Sequence, residues 1–428
     1  MTATETHAAI DAVWRIESAK LIGALVRIVR DISLAEELAQ DALVAALQQW
    51  PTEGIPRNPG AWLMQTAKHR AIDHFRHRQR AERKHEQVAY ELETEQERAP
   101  DFDTALDDDV GDDVLRLMFT ACHPVLSADA RVALTLRLIG GLTTEEIARA
   151  YLVPEPTIAQ RIVRAKKAIA RARVPFEVPR GVDRAARLAS VLEVIYLVFN
   201  EGYSATAGDD WMRPQLCEDA MRLGRVLAGL APGESEVHGL VALMELQASR
   251  IRARVSRTGE PILLLDQDRS RWDHLLIQHG LAALTRAEQL DGAHGPYALQ
   301  GAIAACHARA RMAADTNWAR IAALYAELSR VMPSPVVDLN RAVAIAMAGD
   351  PAAGLEIVDA IADHPTMREY PHWASARADL LARLGRPDEA RAAFERAAAL
   401  TKNARDRDVL LARAKEQTRQ HHEGDEGR

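Results

Sequence analysis

The chain has 428 residues, of which 48% are hydrophobic and 5% aromatic, and its formal net charge is −7. A chain of this length can form two or three domains, and no apolar run approaches the roughly 18 residues that span a membrane. The N-terminus lacks the basic start and apolar core of a secretory signal, so we expect a cytoplasmic protein. Three well-separated cysteines exclude a disulfide framework and predict small buried residues.

The negative net charge conceals two basic segments separated by an acidic one. Residues 68–84 carry seven Lys and Arg against two acids, and residues 157–173 carry six with no acid. Residues 91–113 hold eleven Asp and Glu with Arg98 as the single base. Two basic helical faces joined by an acidic tether favour nucleic-acid binding, although the overall charge points the other way.

The N-terminal part reads as helical. Apolar residues recur at helical spacing over 8–50, and Ser33 with Glu36 matches a capping box that opens a second helix. Three prolines and two glycines predict a loop over 51–60.

A long basic helix is predicted from about 61 to 90. The acidic stretch that follows has no apolar periodicity and reads as a flexible linker. Its length of 23 residues corresponds to a reach of roughly 75–80 Å, about two turns of DNA. The acidity either lets the linker occupy a nucleic-acid channel or only keeps it solvated.

A helix-turn-helix pattern follows the linker. A helix over 129–139 stops at Gly140-Gly141, a short helix covers 144–151, and after a turn a basic helix begins at 156 or 157. Leu142, Ile147, Ala148, Ile158 and Ile162 are predicted to face inward and Val153 to fill the turn. The outward set, which would meet base edges and phosphates, is Glu155, Thr157, Gln160, Arg161, Arg164, Lys166 and Lys167. The alternative is an amphipathic helix pair with a solvated basic face.

The remaining chain, 180–428, is predicted to be helical throughout and punctuated by Gly and Pro. Residues 381–400 carry small and aromatic residues at the positions of a tetratricopeptide repeat, and a weaker copy upstream aligns Gly349 with Gly385. The alternative is an irregular helical bundle. The fold class expected for the whole chain is all-α.

The helix-turn-helix resembles region 4 of the extracytoplasmic-function group of sigma-70-family factors, whose second helix reads the −35 promoter element. The segments LAEELAQDALVAALQQW (34–50) and NPGAWLMQTAKHRAIDHFRHRQR (58–80) are similar to region 2 of that group. The resemblance implies core polymerase binding by Glu36, Glu37, Gln40 and Asp41. It implies contact with the −10 element by Arg57, Asn58, Trp62, Lys68, Arg70, Arg76 and Arg80. Trp62 is either such a contact or a core residue that packs helices together.

The domains follow from this resemblance. They are region 2 (1–90), the linker (91–113), region 4 (114–176) and a tetratricopeptide-like extension (180–428). The implied partners are promoter DNA and the β′ clamp and β flap of bacterial RNA polymerase.

Residues 193–211, 263–273 and 295–310 look like a branch of the group whose extension controls activity in cis, together with a small partner protein. Their polar residues form either buried structural networks or a ligand groove.

We find no catalytic set, metal-ligand spacing or cofactor-binding loop, so an enzyme is not expected. The competing hypothesis is a helix-turn-helix regulator with a helical sensor domain that does not join the polymerase. An ordinary regulator has no use for region 2, which therefore discriminates the two.

Overall fold

A computed structural model describes residues 3–86, 110–151, 153–203, 212–256, 262–290, 294–401 and 404–425. Within these ranges the chain forms nineteen α-helices and short 3₁₀ turns, and no β-strand. The all-α prediction is therefore confirmed. None of the described helices is long and apolar enough to cross a membrane.

The chain divides into two compact units, Met1–Val198 and Phe199–Arg428. The first unit contains α1 (Ala3–Val29), α2 (Ile32–Glu53), α3 (Pro59–Glu86), α4 (Val110–Ala121), α5 (Ala128–Leu138), α6 (Thr144–Ala150), α7 (Glu155–Arg171) and most of α8 (Val182–Tyr203). Helix α1 packs against α2, α3, α4 and α5, so it forms the centre of the unit.

The start of α2 differs from the prediction. Asp31 is the N-cap, and its carboxylate accepts hydrogen bonds from the backbone amides of Ser33 and Leu34. The predicted capping box of Ser33 with Glu36 is therefore wrong. The helix starts two residues earlier, and the Asp31 carboxylate satisfies its first free amides, which leaves the Glu36 side chain available for contacts elsewhere.

The predicted loop 51–60 is shorter than expected. Helix α2 continues through Pro51 to Glu53, and its C-cap is Gly54, whose φ of +87° suits a residue without a side chain. Helix α3 then begins at Pro59, where a missing N–H costs nothing. Of the predicted linker, residues 91–109 lie outside the described residues, and the last four residues open α4.

The second unit is also formed by consecutive α-helices. It contains α9 (Pro214–Leu230), α10 (Ser235–Ala248), α11 (His274–Gln289), α12 (Pro296–Arg309), α13 (Trp318–Val331), α14 (Pro335–Met347), α15 (Pro351–Ala360), α16 (Pro365–Arg368), α17 (Pro371–Arg383), α18 (Pro387–Leu400) and α19 (Ala404–Asp425). Most of these helices pack against their neighbours in sequence. The core is consequently a series of local apolar clusters along the unit.

Two helix pairs in this unit are each connected by a turn of the same kind. Between α14 and α15, Gly349 adopts a φ of +120°, and between α17 and α18, Gly385 adopts +69°. Each glycine is followed two residues later by a proline that starts the next helix. A positive φ favours glycine, and proline is preorganised for a first helical turn, so these residues fix both turns.

Burial of the cysteines follows the prediction in part. Cys122 and Cys217 are buried and Cys306 is partly exposed, all as free thiols. Burial raises the pKa of both Cys122 and Cys217 to about 12, so both remain protonated and unreactive near neutral pH.

Candidate nucleic-acid interface

The helix-turn-helix forms where the sequence predicts it. Thr143 caps α6 by accepting from the Glu146 amide, and the Glu146 carboxylate accepts from the Thr143 amide in return. Pro154 is the N-cap of α7, where its carbonyl accepts from the Thr157 amide, and Pro156 lies in the first turn of the helix. These caps satisfy helix amides that would otherwise lack partners.

The inner face of the motif is apolar and buried. Leu142, Ile147, Ala148, Ile158 and Ile162 are each at most 5% exposed, as predicted. The outward prediction is confirmed for Glu155, Thr157, Gln160, Arg164 and Lys167, which are exposed, whereas Arg161 and Lys166 are half-buried. The motif therefore presents a basic outer face with two of its cations engaged by other segments.

Arg161 and Lys166 pair with carboxylates of the same unit. The Arg161 guanidinium lies 3.1 Å from the Asp129 carboxylate at the start of α5. Lys166 donates to Glu36 of α2. Because Asp129 is exposed, solvent screens the first of these pairs more than the second.

The second candidate surface is the first half of α3. The Asn58 side chain accepts a hydrogen bond from the Ala61 amide and so caps this helix. Asn58 therefore stabilises the start of α3, whether or not it also contacts DNA. Trp62 is half-buried and meets the buried Trp50 ring edge-on, with ring centroids 5.3 Å apart. Part of its ring remains accessible, which is compatible with either role predicted for it.

The cations of α3 and of the loop before it are mostly exposed. Arg57 and Arg70 are exposed and Lys68 is half-buried. Arg70 lies 3.4 Å from the Asp41 carboxylate of α2, and Arg76 lies 3.9 Å from Asp73 of its own helix. The Arg80 side chain lies outside the described residues.

The four residues expected to meet polymerase lie on α2 in different surroundings. Glu37 is exposed, and Asp41 contacts Arg70. Gln40 donates a 2.8 Å hydrogen bond to Glu36. Glu36 itself is only 5% exposed.

Glu36 is the centre of a three-residue ion cluster. The Arg137 guanidinium of α5 donates to one carboxylate oxygen at 2.6 Å, and Lys166 of α7 donates to the other. Burial alone would raise the pKa of Glu36, but the Lys166 ammonium and the Arg137 guanidinium outweigh it and hold the pKa below its ordinary value. The carboxylate therefore stays charged and joins α2 to the helix-turn-helix.

Sequence reasoning did not identify Arg137. It lies outside both basic segments, and its partner is 101 positions away in the chain. Its guanidinium also donates to the Leu142 carbonyl in the segment before α6. Only the tertiary arrangement brings these groups together.

Two further ion pairs link distant parts of the first unit. Arg15 of α1 donates to Glu146 of α6 at 2.9 Å, and Arg27 of α1 donates to Asp113 of α4 at 2.9 Å. Burial raises the pKa of Asp113 even though Arg27 and Arg116 donate to it. Among the residues that the structure describes, no group of three His, Cys, Asp or Glu side chains is suited to hold a metal ion.

Three family models match the chain. Residues 16–81 match sigma-70 region 2 and residues 116–169 match sigma-70 region 4. Residues 187–288 match a family of unknown function (DUF6596). Regions 2 and 4 together, in this order, define a sigma factor of RNA polymerase.

The chain therefore belongs to the sigma-70 family of sigma factors. It is also 45% identical to an uncharacterized protein of Rhizobium meliloti, over 90% of this chain and 90% of the relative. The shared length includes the C-terminal unit as well as the sigma regions. No solved structure matches the chain.

Proposed function

We propose that the protein is a sigma factor of the extracytoplasmic-function type that joins core RNA polymerase and starts transcription at specific promoters. The observation that carries the proposal is the pairing of a region 2 segment with a region 4 helix-turn-helix whose second helix has an exposed basic face. In a regulator that does not join the polymerase, region 2 would have no role.

In this proposal α7 reads the −35 element in the major groove. Gln160 and Arg161 are suited to adenine and guanine edges, and Lys166 and Lys167 to phosphates. Glu155, Thr157 and Arg164 complete the exposed face near the helix start.

Helix α3 and the loop before it would contact the −10 element. Promoter opening requires a base to leave the stack, which costs a few kcal/mol. An accessible aromatic face and nearby cations offset that cost on a single strand. Trp62, Arg57 and Asn58 are the candidates for base contact, with Lys68, Arg70, Arg76 and Arg80 on phosphates.

The acidic and amide face of α2 would dock on polymerase through Glu36, Glu37, Gln40 and Asp41. In this structure Glu36 contacts Lys166, so neither side chain is available to polymerase or to DNA. The contact between α2 and α7 must therefore break before both partners are bound.

The C-terminal unit would control this activity as a tetratricopeptide-like domain, together with a small partner protein. Support comes from the two helix pairs with equivalent Gly and Pro positions and from the burial of Ala390, Phe394 and Ala397 between helices. We propose that the protein acts in the cytoplasm.

Transcription in vitro tests the proposal. The purified chain added to core polymerase should produce promoter-specific run-off RNA that polymerase alone does not produce. Promoter binding without initiation would contradict the proposal and favour a regulator that does not join the polymerase.

The assignment of Arg161 has a separate test. Arg161→Ala should weaken discrimination among −35 sequences by ~1–3 kcal/mol, whereas Lys167→Ala should weaken binding about equally for all sequences. Fluorescence anisotropy with a panel of −35 duplexes measures both. If Arg161→Ala keeps the wild-type preference among −35 sequences, Arg161 does not read a base.

A further inference from the structure

A cavity of about 670 Å³ lies in the first unit where three helix ends meet. The end of α1, the start of α2 and the end of α7 form its walls. Small-molecule sites in proteins commonly enclose ~300–1,000 Å³. The cavity therefore has the size of a site for a nucleotide-sized molecule.

The walls of the cavity are strongly basic. Its basic residues are Arg27, Arg30, Lys166, Lys167 and Arg173. Two of these are engaged, since Arg27 pairs with Asp113 and Lys166 with Glu36.

The other three, Arg30, Lys167 and Arg173, are exposed cations. Their side chains form no hydrogen bond or ion pair with the residues that the structure describes. Asp31 is the single carboxylate among the described lining residues, and its Oδ1 accepts hydrogen bonds from two backbone amides as a helix cap, so the cavity has three exposed cations for one carboxylate. An excess of unpaired cations in a concave site favours an anionic ligand.

The backbone at two of these arginines is unusual. Arg30 has a φ of +53° and Arg173 a φ of +48°, and they are the only non-glycine residues with positive φ in the described part of the chain. Arg30 directly follows the last residue of α1, and Arg173 lies two residues after the last residue of α7. Glycine is the usual residue with positive φ at a helix end. A non-glycine residue there costs of order 1–2 kcal/mol.

A cation at a helix C-terminus is favourable because it complements the helix dipole. That effect would explain either arginine alone. It does not explain why both line one cavity together with Lys167, where Asp31 is the single carboxylate among the described lining residues.

Apart from Ser33 and Thr120, the rest of the lining is apolar. Val26, Ile169, Val174 and Phe176 lie beside the cations. Guanidinium groups suit phosphate oxygens, and an aromatic ring offers a surface on which a base can stack. The combination fits a ligand with a charged phosphate group at one end and a flat organic group at the other.

We propose that this cavity binds a nucleoside di- or triphosphate, with its phosphates on Arg30, Lys167 and Arg173 and its base beside Phe176. The walls come from both the α1–α2 segment and the helix-turn-helix. A bound nucleotide therefore holds these two segments together and stabilises the adjacent contact of Glu36 with Lys166. If the proposed sigma-factor function is correct, nucleotide binding opposes promoter and polymerase binding.

Isothermal titration calorimetry with the full chain tests the site without polymerase or promoter, so its outcome is independent of the proposed function. ADP and ATP in magnesium-free buffer should bind with one-to-one stoichiometry, and adenosine should bind at least about tenfold more weakly. Arg30→Asn and Arg173→Asn should each lower the affinity for ATP by about tenfold or more, the range of a lost charge-assisted hydrogen bond. Asparagine is chosen because it tolerates positive φ better than most residues.

Arg180→Asn is the matched control, since Arg180 is exposed and does not line the cavity. It should bind ATP as the wild type does. Phe176→Leu gives a second readout: it should weaken ATP but leave inorganic triphosphate unchanged.

Absence of ADP and ATP binding to the wild-type chain would overturn the proposal. Equal losses in Arg30→Asn and Arg180→Asn would overturn it too, because they would indicate general electrostatic attraction. The far-ultraviolet circular dichroism and thermal midpoint of each variant establish that it is folded. If an arginine variant does not fold, the Phe176→Leu comparison decides, and equal losses for ATP and triphosphate contradict the proposed base contact.

Discussion

The two units of the chain both have a buried apolar core, but they differ in how far along the sequence their ion pairs reach. In Met1–Val198, ion pairs join residues that are far apart in sequence, as between Arg15 and Glu146 or between Glu36 and Lys166. In Phe199–Arg428, apolar contacts join helices that follow one another, as in the cluster around Trp373 and Phe394, and ion pairs such as Arg225 with Glu245 join residues that are nearer in sequence.

This difference has a functional meaning. Ion pairs respond to pH, salt and competing charged ligands, so an arrangement that depends on them can be opened by DNA or by polymerase. Apolar contacts between consecutive helices are insensitive to such ligands and give a stable scaffold. We expect the first unit to change its internal contacts during function and the second to keep its own.

The largest effect on stability is expected in the second unit, Phe199–Arg428. Phe394 is completely buried, so Phe394→Ala should lower the free energy of opening of α17 and α18 by ~3–5 kcal/mol. Hydrogen exchange with mass spectrometry should show the loss in peptides over 371–400 and no change over 16–53. Leu411→Ala, at a residue that is 39% exposed, should change protection by less than ~0.5 kcal/mol. Equal loss of protection over 371–400 and 16–53 would contradict a local effect of Phe394.

A slightly smaller effect is expected from the ion cluster of the first unit. Glu36→Gln leaves Arg137 and Lys166 half-buried without their carboxylate, and we expect a loss of about 3 kcal/mol. Because the pKa of Glu36 is lowered in the folded chain, its contribution is complete above the unfolded value of about 4.5. The contribution disappears as pH falls through the lowered folded value.

Hydrogen exchange over α2 and α7 at pH 7 measures that loss. Glu37→Gln is the matched control, since Glu37 is the exposed neighbour of Glu36 on the same helix. If both variants were equally protected, the cluster would contribute nothing to the association of α2 with α7.

A pH effect of about 2 kcal/mol is expected in the second unit. Burial and the nearby guanidinium groups of Arg250 and Arg269 lower the pKa of His307 to about 4. The unfolded imidazole, with a pKa of about 6.5, takes up a proton between pH 7 and pH 5 that the folded one does not. The free energy of unfolding should therefore fall by about 2 kcal/mol over this range.

Urea denaturation at pH 7 and pH 5 tests this by comparing wild type with His307→Gln, in which the fall should be smaller by that amount. His279→Gln is the control, because His279 is exposed on α11. An identical pH dependence in wild type and His307→Gln would refute a buried neutral imidazole.

The smallest effect is expected at the first helix of the helix-turn-helix. Thr143→Ala removes the side-chain cap of α6 and should cost ~1 kcal/mol of local stability. Thr143→Ser keeps a hydroxyl acceptor and should retain nearly all of it. Amide exchange of α6 measures both, and equal protection in Ala and Ser variants would show that the cap is dispensable.

The sequence alone was sufficient for the helix-turn-helix. Ile147, Ala148, Ile158 and Ile162 have helical spacing, and their burial follows from that spacing because one face of each helix must be apolar. Glycine and proline likewise marked most turns. The start of α2 was not predictable in the same way, since Asp31 and Ser33 are both good caps and only the folded backbone selects one.

The order of the two basic segments and their family resemblance were also determined by the sequence, and the matches to regions 2 and 4 agree with it. The tertiary structure decided which charges face each other. Glu36, predicted as a polymerase contact, is paired with Arg137 and Lys166. Arg30 and Arg173, 143 positions apart, line one cavity. Local spacing fixes which face of a helix is apolar, but the pairing of distant charges depends on how those faces pack together.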